Sequence, residues 1–290
     1  MKKPLLQGRV AIVTGAGKGL GRAWAIHMAS LGASLVINNR GTPGQPGGCS
    51  ADSVVGEILA AGGDAVANYD SVEEVDTGPR LVAQALQRFG RLDIVVANAG
   101  IDRAQSFHRQ AMADFEHVMA VNFYGAARLL HAAWPVLREG NYGRILVSTS
   151  TAGLYGNHGQ AAYSASKAAL QGLAKALSVE GASRNIRVNA VAPYAVTQLT
   201  RPAFPDAQAG QFSPEATAPV VAWLVSEHCA LQGKTLIVGA GHARAVQTLE
   251  GETVFLGEDI PAAADRLERA SCTIAPASAS AEFEDFRRSL

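Results

Sequence analysis

Tyr163 and Lys167 stand four residues apart in AAYSASKAAL, and Ser150 lies thirteen residues upstream of the tyrosine in VSTSTAG. On a helix that spacing puts a phenol and an ammonium on one face. A tyrosine with a pKa near 10 is a poor base at neutral pH, but a neighbouring ammonium favours the phenolate and pulls its pKa toward the working range. A serine hydroxyl beside it can donate to an oxygen on which negative charge develops. The Tyr/Lys spacing by itself also describes an ordinary surface pair. Ser148 and Thr149 compete with Ser150 for the donor's place.

Such a group needs a scaffold, and the chain alternates two kinds of segment. Short apolar, β-branched runs occur at Val10 to Val13, Leu35 to Ile37, Ala65 to Ala67, Ile94 to Val96, Ile145 to Val147, Ile186 to Val191 and Leu236 to Val238. Between them lie stretches with helical spacing, including Leu20 to Leu31, Val75 to Phe89, Phe115 to Leu137 and Tyr163 to Glu180. This alternation predicts an α/β fold with a doubly wound, mostly parallel seven-stranded sheet, in which ligands sit at the carboxyl ends of the strands. Ser150 falls at such an end. The expected organisation is one dinucleotide-binding and catalytic domain over residues 1–240, followed by an extension, 241–290, with a helical pattern around Ala262 to Arg269. The extension reads as a substrate lid or an oligomer contact. GTPGQPGGCS, Gly41 to Ser50, has too much Gly and Pro for regular structure and reads as a loop after the second strand.

The first strand runs into TGAGKGLG and then a helix, the setting in which a glycine-rich turn can hold a pyrophosphate at helix N-terminal amides. Gly15, Gly19 and Gly21 allow the tight turn and the close approach, with Lys18 and Leu20 between them. Eighteen residues past Gly21, where an acidic residue would grip a ribose hydroxyl, stands Asn39, followed by Arg40. An amide does not repel a 2′-phosphate, and Arg40 with Lys18 would neutralise one. This favours NADP(H), with NAD(H) as the alternative.

The 290 residues carry 25 Lys and Arg against 25 Asp and Glu, for zero formal charge and no basic cluster, so nucleic acid and anionic membrane find no electrostatic attraction. No apolar run approaches the roughly 20 residues of a membrane span. Cys49, Cys229 and Cys272 are scattered, form no metal-binding spacing and suit a reducing compartment. We expect a cytoplasmic protein with a small-molecule partner and no metal. The helices Phe115 to Leu137 and Tyr163 to Glu180 carry apolar residues on more than one face, which predicts a homodimer or homotetramer.

Taken together these motifs resemble the short-chain dehydrogenase/reductase family over about residues 8 to 240. TGAGKGLG is similar to its T-G-x-x-x-G-x-G, Asn98-Ala99-Gly100 to its N-A-G, and Ser150, Tyr163 and Lys167 to its triad. The resemblance implies that Asn122 in MAVNFYG completes a tetrad, holding a water beneath the lysine. It also implies cofactor contacts at Asn98, Ala99, Gly100, Pro193 and Thr197, in addition to Tyr163 and Lys167. The chain departs from the family at Ala97, at Tyr194 after Pro193, and at Thr197, one position short of the usual threonine.

VANYDSVEE, YGNHGQAAYSASKAAL, VAPYAVTQLT and VGAGHARA resemble, more narrowly, the (3R)-hydroxyacyl-CoA dehydrogenase unit of peroxisomal multifunctional enzymes. This likeness implies adenine contacts at Asp70 and Val72. That branch prefers NAD and is acidic where Asn39 stands, so its preference for NAD does not simply carry over to this chain.

The expected function is an NAD(P)(H)-dependent oxidoreductase interconverting a secondary alcohol and a ketone, the substrate being a 3-hydroxyacyl/3-oxoacyl thioester or a bulky hydrophobic ketone. The rival readings are a non-catalytic dinucleotide sensor and a lyase or epimerase that uses nicotinamide transiently. The pocket is expected along Ala152 to Gln160, Tyr194 to Phe212 and part of the tail, with His158 as a substrate contact or a solvated loop residue.

Overall fold

The computed structural model describes residues 4–41, 50–201, 210–255 and 260–288. All but the ends of the expected loop at Gly41 to Ser50, Cys49 included, lies outside the described residues. The chain divides into two compact units, Met1–Ala245 and Val246–Leu290.

Seven parallel strands occur at the expected runs: β1 (Val10–Thr14), β2 (Ser34–Asn38), β3 (Asp64–Asn68), β4 (Ile94–Ala97), β5 (Gly143–Ser148), β6 (Ile186–Tyr194) and β7 (Thr235–Gly239). An eighth, β8 (His242–Val246), adds to the edge, giving the order β3-β2-β1-β4-β5-β6-β7-β8. It follows β7 through Ala240 and Gly241, both at positive φ (48° and 73°), the two-residue turn that suits a hairpin.

Alternate residues of each strand enter separate cores, so Ala11 and Val13 pack on one face of the sheet while Val10 and Ile12 pack on the other. The first face is covered by α1 (Gly19–Ser30), α2 (Ser50–Ala60) and α8 (Ala218–Leu224). There the fully buried Trp24 donates its indole N–H to Thr217 Oγ1 at 2.7 Å, so a large apolar ring is buried without an orphaned donor. The second face carries α3 (Thr77–Phe89), α5 (Gly125–Glu139) and α7 (Ala161–Gly181), whose Leu81, Leu129, Leu130, Leu137 and Leu170 are buried against the strands.

The predicted helix over Phe115 to Leu137 is three pieces: α4 (Met112–Met119), one π turn (Ala120–Tyr124) and α5. A short α6 (Thr151–Tyr155) follows β5. Chain order reverses between β1 and β4, so their carboxyl ends diverge and open the crevice where such folds bind ligands.

In the second unit, α9 (Ile260–Arg269) and α10 (Ala279–Arg288) accompany an isolated bridge between Glu250 and Ile274, and Arg266 donates to the Phe255 carbonyl at 2.8 Å.

Candidate active site

Ser150 leaves β5 in extended conformation and caps α6, its Oγ accepting from Ala152 N at 3.1 Å, which leaves its own O–H free to donate. Tyr163 and Lys167 sit in the first two turns of α7 on one face, with Lys167 Nζ 5.6 Å from the centre of the phenol ring. The ammonium is buried and donates to the Ser148 carbonyl at 2.7 Å. Thr149 spends its hydroxyl on the Lys167 carbonyl at 2.7 Å, pinning β5 to α7. Of the three candidate hydroxyls only that of Ser150 lines the same cavity as Tyr163.

Asn122 lies in the π turn, fully buried. A π turn adds a residue to the helical ladder and turns the local side chains, and such turns recur at functional sites. Asn122 Nδ2 donates to Ile101 O (2.9 Å) and Ser166 Oγ (3.0 Å), and Oδ1 accepts from Ile101 N (2.8 Å). Gly100 separates it from the lysine: a Cβ there would lie 3.3 Å from both Asn122 Oδ1 and Lys167 Nζ.

The electrostatics depart from the expected tuning. Burial pushes Tyr163 up to about 12, the hydrogen bond with Ser150 opposes the rise, and the charge of Asp102 adds to it. Burial likewise holds Lys167 down, from 10.5 to about 8. The spacing rightly put the pair on one face but could not report how dry that face is, and desolvation is the largest influence on both groups.

A groove of about 420 Å³ runs along the strand ends and gathers Gly15, Lys18, Asn39, Arg40, Asp70, Val72, Ala99 and Gly100, all of them expected cofactor contacts. Its walls fit a dinucleotide. The N-cap of α1, Lys18, makes no side-chain capping bond, and no acidic residue stands in the first turn, so the amides of Gly19, Leu20 and Gly21 are open to an anion. Gly21 cannot be larger, because a Cβ there would come within 2.3 Å of the Gly15 carbonyl.

Other expected contacts are placed differently. The Leu20 side chain packs on the core, so only its backbone faces the turn. Asn98 ties β4 to β1, its Nδ2 donating to Thr14 O at 3.1 Å and Gly15 O at 3.3 Å. Pro193 lines the neighbouring cavity. Thr197 bonds to Thr200 and abuts Gly19, while Gln198 and Leu199 line the groove, Gln198 accepting from Lys18 Nζ at 2.8 Å. Arg40 lies 4.0 Å from Glu73.

The adjoining cavity, about 620 Å³, holds Ser150 and Tyr163 among mainly apolar walls that include Ala152, Tyr155, Tyr194, Leu199 and Phe212. The expected segments supply most of these. His158 is exposed and outside the lining. Sequence reasoning missed Asp102, which borders both the groove and the cavity and accepts from Gln160 Nε2. The departure of AGID from a purely apolar run after Asn98-Ala99-Gly100 was the available signal.

A sequence profile described as short chain dehydrogenase matches residues 9–208. A Mycobacterium tuberculosis protein described as a short-chain type dehydrogenase/reductase is 45% identical over 246 residues, 84% of this chain and 86% of its own. The peroxisomal multifunctional enzyme type 2 of Mus musculus is also 45% identical, over 83% of this chain; the match spans only a third (33%) of the mouse enzyme. The crystal structure of a short chain dehydrogenase from Mycobacterium avium superposes with a TM-score of 0.82 at 36% identity, covering 93% of this chain and 98% of that one. The chain belongs to the short-chain dehydrogenase/reductase family of NAD(P)-dependent oxidoreductases acting on CH–OH groups.

Proposed function

We propose that this enzyme interconverts a secondary alcohol and a ketone in the cavity bounded by Ser150 and Tyr163, with the nucleotide in the adjoining groove. The observation that carries the reading is the convergence of the Ser150 and Tyr163 hydroxyls, hydrogen-bonded to each other, on one cavity, backed by a buried lysine that donates to the Ser148 carbonyl. When bound, the nicotinamide supplies or accepts the hydride. In the reductive direction Ser150 donates to the carbonyl oxygen and Tyr163 gives it the proton; in the oxidative direction Tyr163 takes the proton back. Lys167 holds the phenolate that remains, and Asn122 fixes the chain around Ile101 and α7 on which that geometry depends.

The groove's Lys18, Asn39 and Arg40 support NADP(H) over NAD(H), against the competing pull of Glu73 on Arg40 and Gln198 on Lys18. The cavity's size and apolar walls suit either a 3-oxoacyl thioester or a bulky ketone. Among the described residues no helix is long and apolar enough to cross a membrane, and Cys229 and Cys272 are free thiols, which fits the cytoplasm. Apolar side chains of α5 and α7, among them Trp134, Leu173 and Leu177, with Val75 just before α3, line a further surface groove of about 740 Å³, and we assign it to a dimer or tetramer contact.

Tyr163→Phe removes one hydroxyl and tests the mechanism. Turnover of ketone with NAD(P)H, followed at 340 nm, should fall at least about a hundredfold while nucleotide binding persists. Undiminished turnover would overturn the assignment.

A further inference from the structure

Among the described residues lining the substrate cavity, Asp102 is the only charged side chain. It lies just past Gly100 in the loop after β4, where groove and cavity meet, so it stands beside the position at which hydride transfer occurs. Its place is fixed from one side. Gln160, three residues before Tyr163, donates its Nε2 to Asp102 Oδ2, and Asn157 Nδ2 in turn donates to Gln160 Oε1 at 2.7 Å. The backbones are tied as well, Gln105 N donating to Gly159 O at 2.7 Å. Among the described residues no donor is bonded to Oδ1.

A carboxylate at the edge of a partly apolar cavity is costly unless its lone pairs meet donors. Gln160 and Asn157 form a chain whose donors run toward the carboxylate, so the wall as a whole presents an acceptor. The electrostatic reach of Asp102 to the reacting centre is visible in Tyr163, whose phenol its charge helps to keep protonated.

We propose that Asp102 is a specificity residue that selects ketones bearing a hydrogen-bond donor, a hydroxyl or amine, on the carbon next to the carbonyl, and rejects those bearing a carboxylate there. The inference rests on the alcohol/ketone reading above and narrows it. A thioester meets the requirement only through a donor on its acyl chain, because its first amide N–H lies beyond the sulfur and an ethylene link. A site built to bond a donor penalises the analogue that lacks it, since its own acceptor is then left unpaired.

Three probes separate the effects: 2-hydroxyacetophenone, propiophenone, which replaces the hydroxyl with a methyl of similar size, and phenylglyoxylate. For the unmodified enzyme, kcat/KM should favour the hydroxyketone over propiophenone by about tenfold or more, and phenylglyoxylate should be the poorest. Asp102→Leu should bring the first ratio to about one. Asp102→Asn keeps an acceptor for Gln160 and removes the charge, so it should raise phenylglyoxylate relative to propiophenone by about tenfold or more.

Calorimetric binding of the three probes to the Tyr163→Phe enzyme loaded with NADPH or NADH supplies the same ratios without turnover. If the probes bind in the expected order but none reacts in the unmodified enzyme, the functional reading fails while the preference of the cavity stands; if they bind equally and none reacts, both fail. If turnover is normal and the ratios are equal in the unmodified enzyme, or unchanged in Asp102→Asn, the selectivity proposal is wrong. Should Asp102→Leu fail to fold, the Asn variant decides alone.

Discussion

Replacing Lys167 with Met should make the nucleotide-free protein more stable at neutral pH while removing its activity. The side chain is 3% exposed and has no carboxylate partner among the described residues. Burial lowers its pKa from 10.5 to about 8. Because the unfolded chain binds this proton more tightly, the lysine destabilises the fold fully below pH 8, and the penalty fades as pH rises from 8 to 10.5. The difference of about 2.5, at 1.36 kcal/mol each, is on the order of 3 kcal/mol at pH 7 and about 1 kcal/mol at pH 9.5. Methionine fills similar volume without charge but forfeits the bond to the Ser148 carbonyl, a loss of about 1 kcal/mol. The expected net gain is therefore about 2 kcal/mol at pH 7 and near zero at pH 9.5. Urea denaturation of both proteins at the two pH values, at one protein concentration, measures it. The change in the difference between pH values, about 2 kcal/mol, is the sharper quantity because the lost hydrogen bond cancels from it. A Met variant no more stable at pH 7, with a pH-independent difference, would show that Lys167 is not a desolvated cation.

Titration of intrinsic fluorescence should show NADPH binding at least several-fold tighter than NADH, with Asn39→Asp reversing the order by placing a carboxylate beside the 2′-phosphate; tighter NADH binding by the unmodified protein would refute the phosphate site. Glu73→Gln should strengthen NADPH binding and leave NADH nearly unchanged, because it releases Arg40 from a competing carboxylate 4.0 Å away; an equal effect on both nucleotides would detach Arg40 from the phosphate. Light scattering at micromolar concentration should give a dimer or tetramer mass, and Leu177→Asp, which sets a charge in the apolar groove on α7, should shift it toward monomer; a monomeric mass for the unmodified protein would rule out the assembly.

Most of the parallel strands were legible because the inner ones are buried on both faces and must therefore be apolar, β-branched runs, as in VAIVT and SLVIN. β8 was not, because HARAV is exposed along most of its length and carries no hydrophobic signal; its pairing comes from the turn at Ala240 and Gly241. The π turn was hidden for a different reason. AVNFY satisfies helical periodicity as well as its neighbours do, and the shift in ladder that buries Asn122 depends on contacts with Ile101 and Ser166, distant in sequence. Residue types and spacings pointed to the groups proposed to react, whereas the pKa shifts of Tyr163 and Lys167 depend on what packs around them. Asp102 illustrates the same limit. One letter in a loop said nothing of the cavity it borders until α7 was folded against it.

The opposite displacements of Tyr163 and Lys167 bear on how the site works. Burial disfavours the phenolate and the ammonium separately, so the resting pair is biased toward the neutral phenol with a lysine that titrates near pH 8. The same dryness strengthens the attraction between phenolate and ammonium when both are present, since their interaction is no longer screened by water. A proton leaving Tyr163 toward a substrate oxygen therefore makes Lys167 harder to deprotonate, and an ammonium already in place makes the proton easier to give up. The two groups respond as a pair, with apparent pKa values that belong to both. Ser150 adds a donor to the same phenolate and Asp102 a nearby negative charge, so the midpoint is set by four side chains from three places in the chain: the loop after β4, the end of β5 and the start of α7. A site balanced in this way needs its elements held rigidly, and the bonds that fix them, Thr149 to the Lys167 carbonyl and Asn122 to Ile101 and Ser166, are made by side chains that do not themselves react.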